Sequence, residues 1–486
     1  MKYKSFNENA DLVFEKYKNN VAIDYKNQEI TYGMLKADLI KFVHEIENLG
    51  YQKKGKALVA ISDPITYVKV LYSLWTLDYI VIPFQGKVCT REIEEAIKAS
   101  DCDFIVENYG FHDDVRIDET DVATSKVSIG VTYHKLKSNN DFKDNNDTAI
   151  YFYTSGTTGL PKCVAFSADA LWKNVFDLVE EWELSNTDVL FTPLSPLLTA
   201  TLTTAVLPIL MVGGKLVLTN TALPGNIIKT IRDKNVTVFF AVPYIYDLVN
   251  GSVSNKSRDD WQNVRICATS SARLNEKTYQ KFYSETGKIM HSIYCSSEAG
   301  AITYNDSKSF EGGFPSVGRC FSGVEIRILS KDGALLKAGE CGEIYVKGSH
   351  ISSGYHNRPE LEKEVFKDGL VKTSDIGYLD DNGYLYITGR DSATINVSGH
   401  LVNPEEIEKL LIENPKIKDC VVYGNKSEGI GEEVAVKIVM ENASETFSVD
   451  DVFKILDGKI SSYKIPRKVK VVDELEYGRY GKKIRR

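Results

Sequence analysis

The chain of 486 residues has no CxxC pair, no HExxH and no His-x-His spacing. Its eight cysteines (Cys89, Cys102, Cys163, Cys267, Cys295, Cys320, Cys341 and Cys420) and seven histidines are dispersed along its length. Such scatter argues against a zinc site and against a disulfide framework, and reads as reduced thiols. Long apolar runs are also missing. The most apolar stretch, 199–218, is interrupted by Pro208, Gly213, Gly214 and Lys215, so no membrane span is expected. The opening Met1–Asn9 has no apolar core of an export signal, and a cytoplasmic location is the expectation. Positive charge is in deficit, with a formal net charge of −8 and a sequence pI near 5.6. That balance excludes nucleic-acid binding through a general electrostatic field. No internal repeat is visible.

What is present is ordinary for a folded chain: 43% hydrophobic and 26% charged residues, over a length that suits about two to four domains. Thr31 is placed to cap a helix whose apolar residues Leu35, Leu39, Phe42, Val43, Ile46 and Leu49 recur at three- and four-residue steps, with Gly50 as its stop. The apolar run 57–61, the helical stretch 65–77 and the run 79–83 read as strand, crossover helix and strand. That unit favours a parallel sheet buried on both faces. The rhythm returns at 92–106 and at 227–240. The polar stretch 137–147 reads as a surface loop.

After about residue 310 the texture changes to short, glycine-flanked strands, such as 342–348 and 383–387. Beyond Arg390 a small α+β unit follows. Its first helix opens at Pro404-Glu405-Glu406, with proline in the first turn and acids at the positive helix end. Strands at 419–423 and 434–440, a helix over 449–460 and a last strand at 469–472 complete it. The expected fold is α/β. A large N-terminal domain, 1–390, holds parallel-sheet subdomains and a smaller β-rich subdomain, and a small α+β C-terminal domain, 391–486, follows.

The most informative segment is Tyr153-Thr154-Ser155-Gly156-Thr157-Thr158-Gly159-Leu160-Pro161-Lys162, directly after a β-rich run. Its glycines let backbone N–H groups approach phosphate oxygens, its hydroxyls donate, and Lys162 adds positive charge. A Walker A loop needs glycine before the lysine and Ser or Thr after it, whereas Pro161 and Cys163 stand there. The P-loop NTPase reading fails on both counts.

The segment closely resembles the signature loop of the acyl-adenylate-forming superfamily, which includes acyl-CoA synthetases, carrier-protein adenylation domains and firefly luciferases. Further resemblances follow in the family's order. Ser270-Ser271-Ala272-Arg273-Leu274 occupies the place of a loop that lies against adenine. Tyr294-Cys295-Ser296-Ser297-Glu298 is similar to Tyr-Gly-x-Thr-Glu, in which the ring stacks near adenine, the hydroxyl meets the α-phosphate and the glutamate helps hold magnesium. Lys372-Thr373-Ser374-Asp375 resembles Thr-Gly-Asp, whose carboxylate takes the ribose hydroxyls, with Ile387 and Arg390 also assigned to the nucleotide. Gly389-Arg390-Asp391-Ser392 resembles the start of the hinge, with Asp391 and Ser392 at the pivot, and Gly399 and Pro404–Glu408 continue it. Gly481-Lys482 matches a terminal Gly-Lys whose lysine bridges carboxylate and α-phosphate.

The resemblance implies an ATP- and Mg²⁺-dependent ligase. A carboxylate attacks the α-phosphorus of ATP and expels pyrophosphate, and a thiol then takes the acyl group and releases AMP. Thr154, Glu298 and Lys482 are the implied catalytic residues, with a small C-terminal domain that moves between the steps. The acceptor is CoA or the phosphopantetheine of a separate holo carrier protein. The segment 192–198 lacks the acid that amino-acid-activating relatives use, which disfavours an α-amino acid. The expected acyl-pocket wall, Leu194, Pro196, Leu197, Ala241, Val242, Pro243 and Tyr244, is apolar or aromatic and suits an aryl or medium aliphatic acid. Other readings of the same loop are a stand-alone amino-acid adenylation domain, a luciferase-like oxygenase and a catalytically weak nucleotide- or acyl-binding homologue. The chain departs from the family pattern at Cys163, Cys295, Ser297 and Ser374, all small-for-small changes.

Overall fold

The computed structural model describes residues 6–49, 55–84, 90–108, 123–127, 131–136, 147–154, 162–252, 255–272, 274, 276–305, 316–330, 332–390, 395–398, 400–427, 431–442, 446–476 and 485. Among these residues the chain forms four sheets. The largest runs, edge to edge, through Arg319–Cys320, Gly300–Tyr304, Met290–Ser296, Ile266–Thr269, Val238–Ala241, Val189–Thr192, Lys215–Leu218, Val21–Tyr25 and Gln28–Thr31. Its strands from Met290–Ser296 across to Val21–Tyr25 are all parallel.

Alternate residues of these strands face opposite sides, so apolar runs fill two cores at once. Leu190, Leu216, Val238, Phe240 and Ile266 enter one, while Phe191, Val217, Phe239, Ala241 and Cys267 enter the other. The second core is closed by Ile227 and Ile231 of the helix Pro224–Asp233. It is closed further by Trp261 and Phe282, whose rings meet edge to face at 5.0 Å.

A second sheet has Thr148–Thr154, Ile80–Pro83, Lys56–Ala60 and Phe104–Glu107 as a parallel centre. Its crossover helix, Pro64–Thr76, starts where expected because Asp63 Oδ2 accepts from Thr66 N at 2.8 Å. Thr31 likewise caps Tyr32–Asn48 by accepting from Met34 N; the expected stop, Gly50, lies outside the described residues. A third, antiparallel sheet builds on Leu370–Leu379, flanked by Gly342–Lys347 and Leu385–Arg390. Its Ile326, Ile344, Val346 and Leu385 share a core with Tyr294 and Ile302 of the largest sheet.

The fourth sheet, with the helices Pro404–Ile412 and Val449–Leu456, has its own core, from Ile395 to Ile465. The last of these helices ends at Leu456 rather than near 460, because Asp457 turns extended and Gly458 takes φ +71°. This small unit is fastened to the helix Thr90–Ser100 by charge. Lys464 Nζ lies 2.5 Å from Glu92 Oε1 and 3.0 Å from Glu406 Oε1, and Ser461 Oγ donates to Glu92 Oε2 at 2.7 Å. No helix among the described residues is long and apolar enough to cross a membrane.

Candidate active site

Parallel strands deliver whatever follows them to one edge of the sheet, and in α/β folds that edge is where ligands bind. Thr192, Ala241, Thr269 and Ser296 end four neighbouring strands. The segments that leave them are therefore neighbours: Pro193–Leu197, Val242–Tyr244, Ser270–Ala272 and Ser297–Ala299. Of the expected acyl wall, Pro196, Ala241, Val242 and Pro243 are buried, while Leu194, Leu197 and Tyr244 are half-buried against the two cores. Ser271 holds φ +70°, and its hydroxyl lies 3.3 Å from that of Ser270.

The turn carrying Glu298 is fixed from below. Ala299 N donates to Ser296 Oγ at 3.0 Å, and Ser352 N donates to the Glu298 carbonyl at 2.9 Å. Gly300 follows with φ +66°, and a Cβ there would fall 2.2 Å from Asn174 Oδ1, which already accepts from Ala301 N. Cys295 is half-buried beside a bulge, opposite Ala301.

The hydroxyl- and glycine-rich loop comes from the second sheet. Thr154 pairs with Lys162 at the open end of an antiparallel ladder, and Thr154 Oγ1 donates to the Lys162 carbonyl at 3.5 Å. Ser155–Pro161, and with them Gly156, Thr157, Thr158 and Gly159, lie outside the described residues. Lys162 Nζ crosses to the largest sheet and donates to Glu298 Oε1 at 3.0 Å. Burial pushes the Glu298 carboxyl up, but Lys162 and the Tyr355 hydroxyl outweigh it and hold the group below the usual carboxylate range. Cys163, beside the lysine, is fully buried, and burial pushes its thiol up to about 12, so it is a packing group rather than a nucleophile.

The third sheet carries Asp375, the carboxylate expected at the ribose. Tyr294 Oη donates to Asp375 Oδ2 at 2.7 Å, both groups being buried. Asp375 N donates to Thr373 Oγ1, Ser374 takes φ +63°, and the ladder sets Asp375 opposite Arg390 and Gly377 opposite Ile387. Arg273, Asp391, Ser392, Gly399 and Lys482 lie outside the described residues.

Two groups that sequence reading missed also meet here. Tyr355 hydrogen-bonds both Lys162 and Glu298, and Asn396 of the small unit donates through Nδ2 to the Ser271 carbonyl. None of these pairings has a local signal, since they join residues 193, 57 and 125 positions apart. Among the described residues no group of three or more His, Cys, Asp or Glu is gathered to hold a metal. A single half-buried carboxylate at this edge, Glu298, does fit Mg²⁺, which favours one or two carboxylates plus substrate phosphates over an all-protein cage.

The described residues that resemble the acyl-adenylate-forming motifs are thus joined across three sheets, and the small α+β unit reaches them through Asn396. Comparison with known sequences carries this to the family. Residues 9–356 match the AMP-binding enzyme family and residues 406–482 its C-terminal domain, and the chain belongs to that family. It is 31% identical over 331 residues to an indoleacetate–CoA ligase from Aromatoleum aromaticum, a stretch covering 68% of this chain and 64% of that protein. The match thus takes in just under two thirds of that relative's length. It is 21% identical over 459 residues to a feruloyl-CoA synthase from Amycolatopsis, covering 93% and 92% of the two chains. Among solved structures, an o-succinylbenzoate CoA synthetase from Bacillus subtilis superposes with a TM-score of 0.85 at 21% identity, covering 98% of this chain and 97% of that one. An amide bond synthetase from Marinactinospora thermotolerans gives 0.86 at 20% identity with the same coverage. These likenesses establish the α/β fold with its separate C-terminal unit.

Proposed function

We propose that the chain is an ATP-dependent carboxylic acid ligase that forms an acyl-adenylate and then passes the acyl group to a thiol. The Lys162–Glu298 pair carries the reading. It puts a cation and an anion from two sheets at the mouth of the Thr154–Lys162 hairpin, at the edge where the ribose-type Asp375 and the apolar wall also lie. A carboxylate is a poor acylating agent because its leaving group would be oxide. Joining its oxygen to the α-phosphorus of ATP, with loss of pyrophosphate, converts that oxygen into part of a good leaving group. The work is charge neutralisation and in-line positioning rather than acid–base relay.

In this reading Thr154, Ser155, Gly156, Thr157, Thr158, Gly159 and Lys162 hold the triphosphate, and Asp375 and Arg390 hold the ribose. Ser271, Ala272, Tyr294, Cys295, Ser296, Ser297 and Ile387 surround the base and α-phosphate. Glu298 would hold Mg²⁺, which supplies charge neutralisation on the phosphates when bound. Lys482 draws the two anions together. In the second step a thiol sulfur attacks the acyl carbonyl and AMP departs. CoA is the first acceptor to test, given the names of the relatives, and a holo carrier protein the second. Leu194, Leu197 and Tyr244 favour an aryl or medium aliphatic acid. We divide the domains at 390/391 and place the pivot at Asp391 and Ser392; Ser392→Pro should lower thioester formation more than pyrophosphate exchange.

The test is ATP–pyrophosphate exchange over a panel of aryl, fatty and amino acids, followed by addition of CoA or holo carrier protein. Exchange with an aryl or aliphatic acid and a thioester product are expected. A folded preparation that exchanges with no acid would sink the proposal.

A further inference from the structure

Tyr355 lies on a two-residue strand, Gly354–Tyr355, laid against Lys162–Ser167 with Tyr355 opposite Val164. On either side the backbone is tied to the same strand, Ser353 N to the Ala165 carbonyl at 2.7 Å and His356 N to the Cys163 carbonyl at 2.9 Å. The ring is buried, meets Phe366 edge to face at 5.5 Å, and has the Lys162 ammonium 4.6 Å from its centroid. Its hydroxyl position is therefore set by packing rather than by the polar groups it touches.

That hydroxyl accepts from Lys162 Nζ at 3.0 Å and donates to Glu298 Oε1 at 2.7 Å. Lys162 donates to the same carboxylate oxygen, Oε1, so neither partner touches Oε2. A phenol has one proton to give, and here it is committed to the carboxylate. When Lys162 turns to a triphosphate, Glu298 loses one of its two side-chain donors and keeps the other.

We propose that Tyr355 is a positioning residue for nucleotide activation. Its hydroxyl anchors Glu298 through Oε1, so that Oε2 would remain the oxygen for a metal whether Lys162 is paired with Glu298 or has left for phosphate. This rests on the functional reading above. It differs from a packing role, because Tyr355→Phe keeps the ring and removes only the anchor.

The experiment follows Mn²⁺ as a spectroscopic stand-in for Mg²⁺, by electron paramagnetic resonance on the full chain with and without ATP. Tyr355→Phe should melt within a few degrees of the wild type and bind metal-free ATP as tightly. It should bind Mn²⁺ in the presence of ATP about 10–100-fold more weakly, as loss of a group that orients a metal ligand does. In a Glu298→Gln background the same change should shift Mn²⁺ affinity by less than about twofold, since the two residues act as one unit. Unchanged Mn²⁺ affinity in Tyr355→Phe, or full additivity with Glu298→Gln, overturns the proposal. Where the wild-type chain binds ATP and Mn²⁺ normally, either result faults Tyr355 alone, and a folded wild-type chain that binds neither ATP nor Mn²⁺ overturns the functional reading with it.

Discussion

The two edges of the largest sheet handle polar groups in opposite ways. Where the strands enter, Asp188, Thr237 and Arg265 each stand one residue ahead of a parallel strand and close on one another. Arg265 meets Asp188 with two bonds of 2.9 Å, Thr237 Oγ1 donates to Asp188 at 2.7 Å, and Ser185 N caps the same carboxylate. Where the strands leave, Thr269 keeps a buried hydroxyl with no hydrogen-bond partner among the described residues. There Ser271 holds left-handed backbone, and Glu298 pairs with a lysine from a different sheet. Buried polar groups in folded chains are normally satisfied, so an edge that satisfies itself serves cohesion and one that does not is arranged for something else to arrive.

That contrast can be broken from either side. The largest effect is expected at the proposed chemistry itself: Lys482→Ala should slow pyrophosphate exchange by about 100–1000-fold with an unchanged melting curve, as for other lost charge-stabilising groups. On the entering edge Arg265→Ala should do the reverse. It should cost about 2–3 kcal/mol in denaturant unfolding, less than for a fully buried pair because the Arg265 side chain is 37% exposed. Exchange per folded molecule should survive.

The same pair predicts a pH effect. Burial pushes the Asp188 carboxyl up, but Arg265 and Thr237 hold it below its ordinary range. Its contribution to stability is thus complete above the unfolded carboxylate pKa of about 4 and is lost as pH falls through the lower folded value. The acid limb of a stability–pH profile should flatten in Arg265→Ala. The smallest effect is expected from Thr269→Val, which should leave stability within about 1 kcal/mol of the wild type or slightly above it, because the hydroxyl removed has no partner to lose. A clear loss of stability there would show that the leaving edge is also built for cohesion.

Much of the frame could be read from the residues, for stated reasons. The run at 57–61 announces itself because a strand buried on both faces has no polar alternation to hide it, whereas the Asp63 cap of the helix after it emerged only from the structure. The Thr154–Lys162 segment stood out because its full string, rather than its Ser, Thr and Gly content, resembles the superfamily's signature loop. Tyr355 was not, since it reaches Lys162 across 193 positions through a strand too short to have a period. Ser374 shows a limit of another kind. Its replacement of glycine looked like a neutral exchange of small residues, yet the backbone keeps φ +63°, a conformation that strains a side chain by about 1–2 kcal/mol. The Glu92–Lys464–Glu406 cluster was equally silent, because its members are ordinary surface residue types until the small unit covers them.

That cluster has a mechanical consequence. One lysine lies between two carboxylates with its side chain only 7% exposed, and burial, against the pull of Lys464, raises the Glu406 carboxyl above its usual range. Three charges held out of water cannot be uncovered by degrees, because the first to be parted leaves the others uncompensated. The small unit is therefore seated like a catch rather than a hinge at rest, and any swing away from the helix Thr90–Ser100 must begin with water flooding that seam.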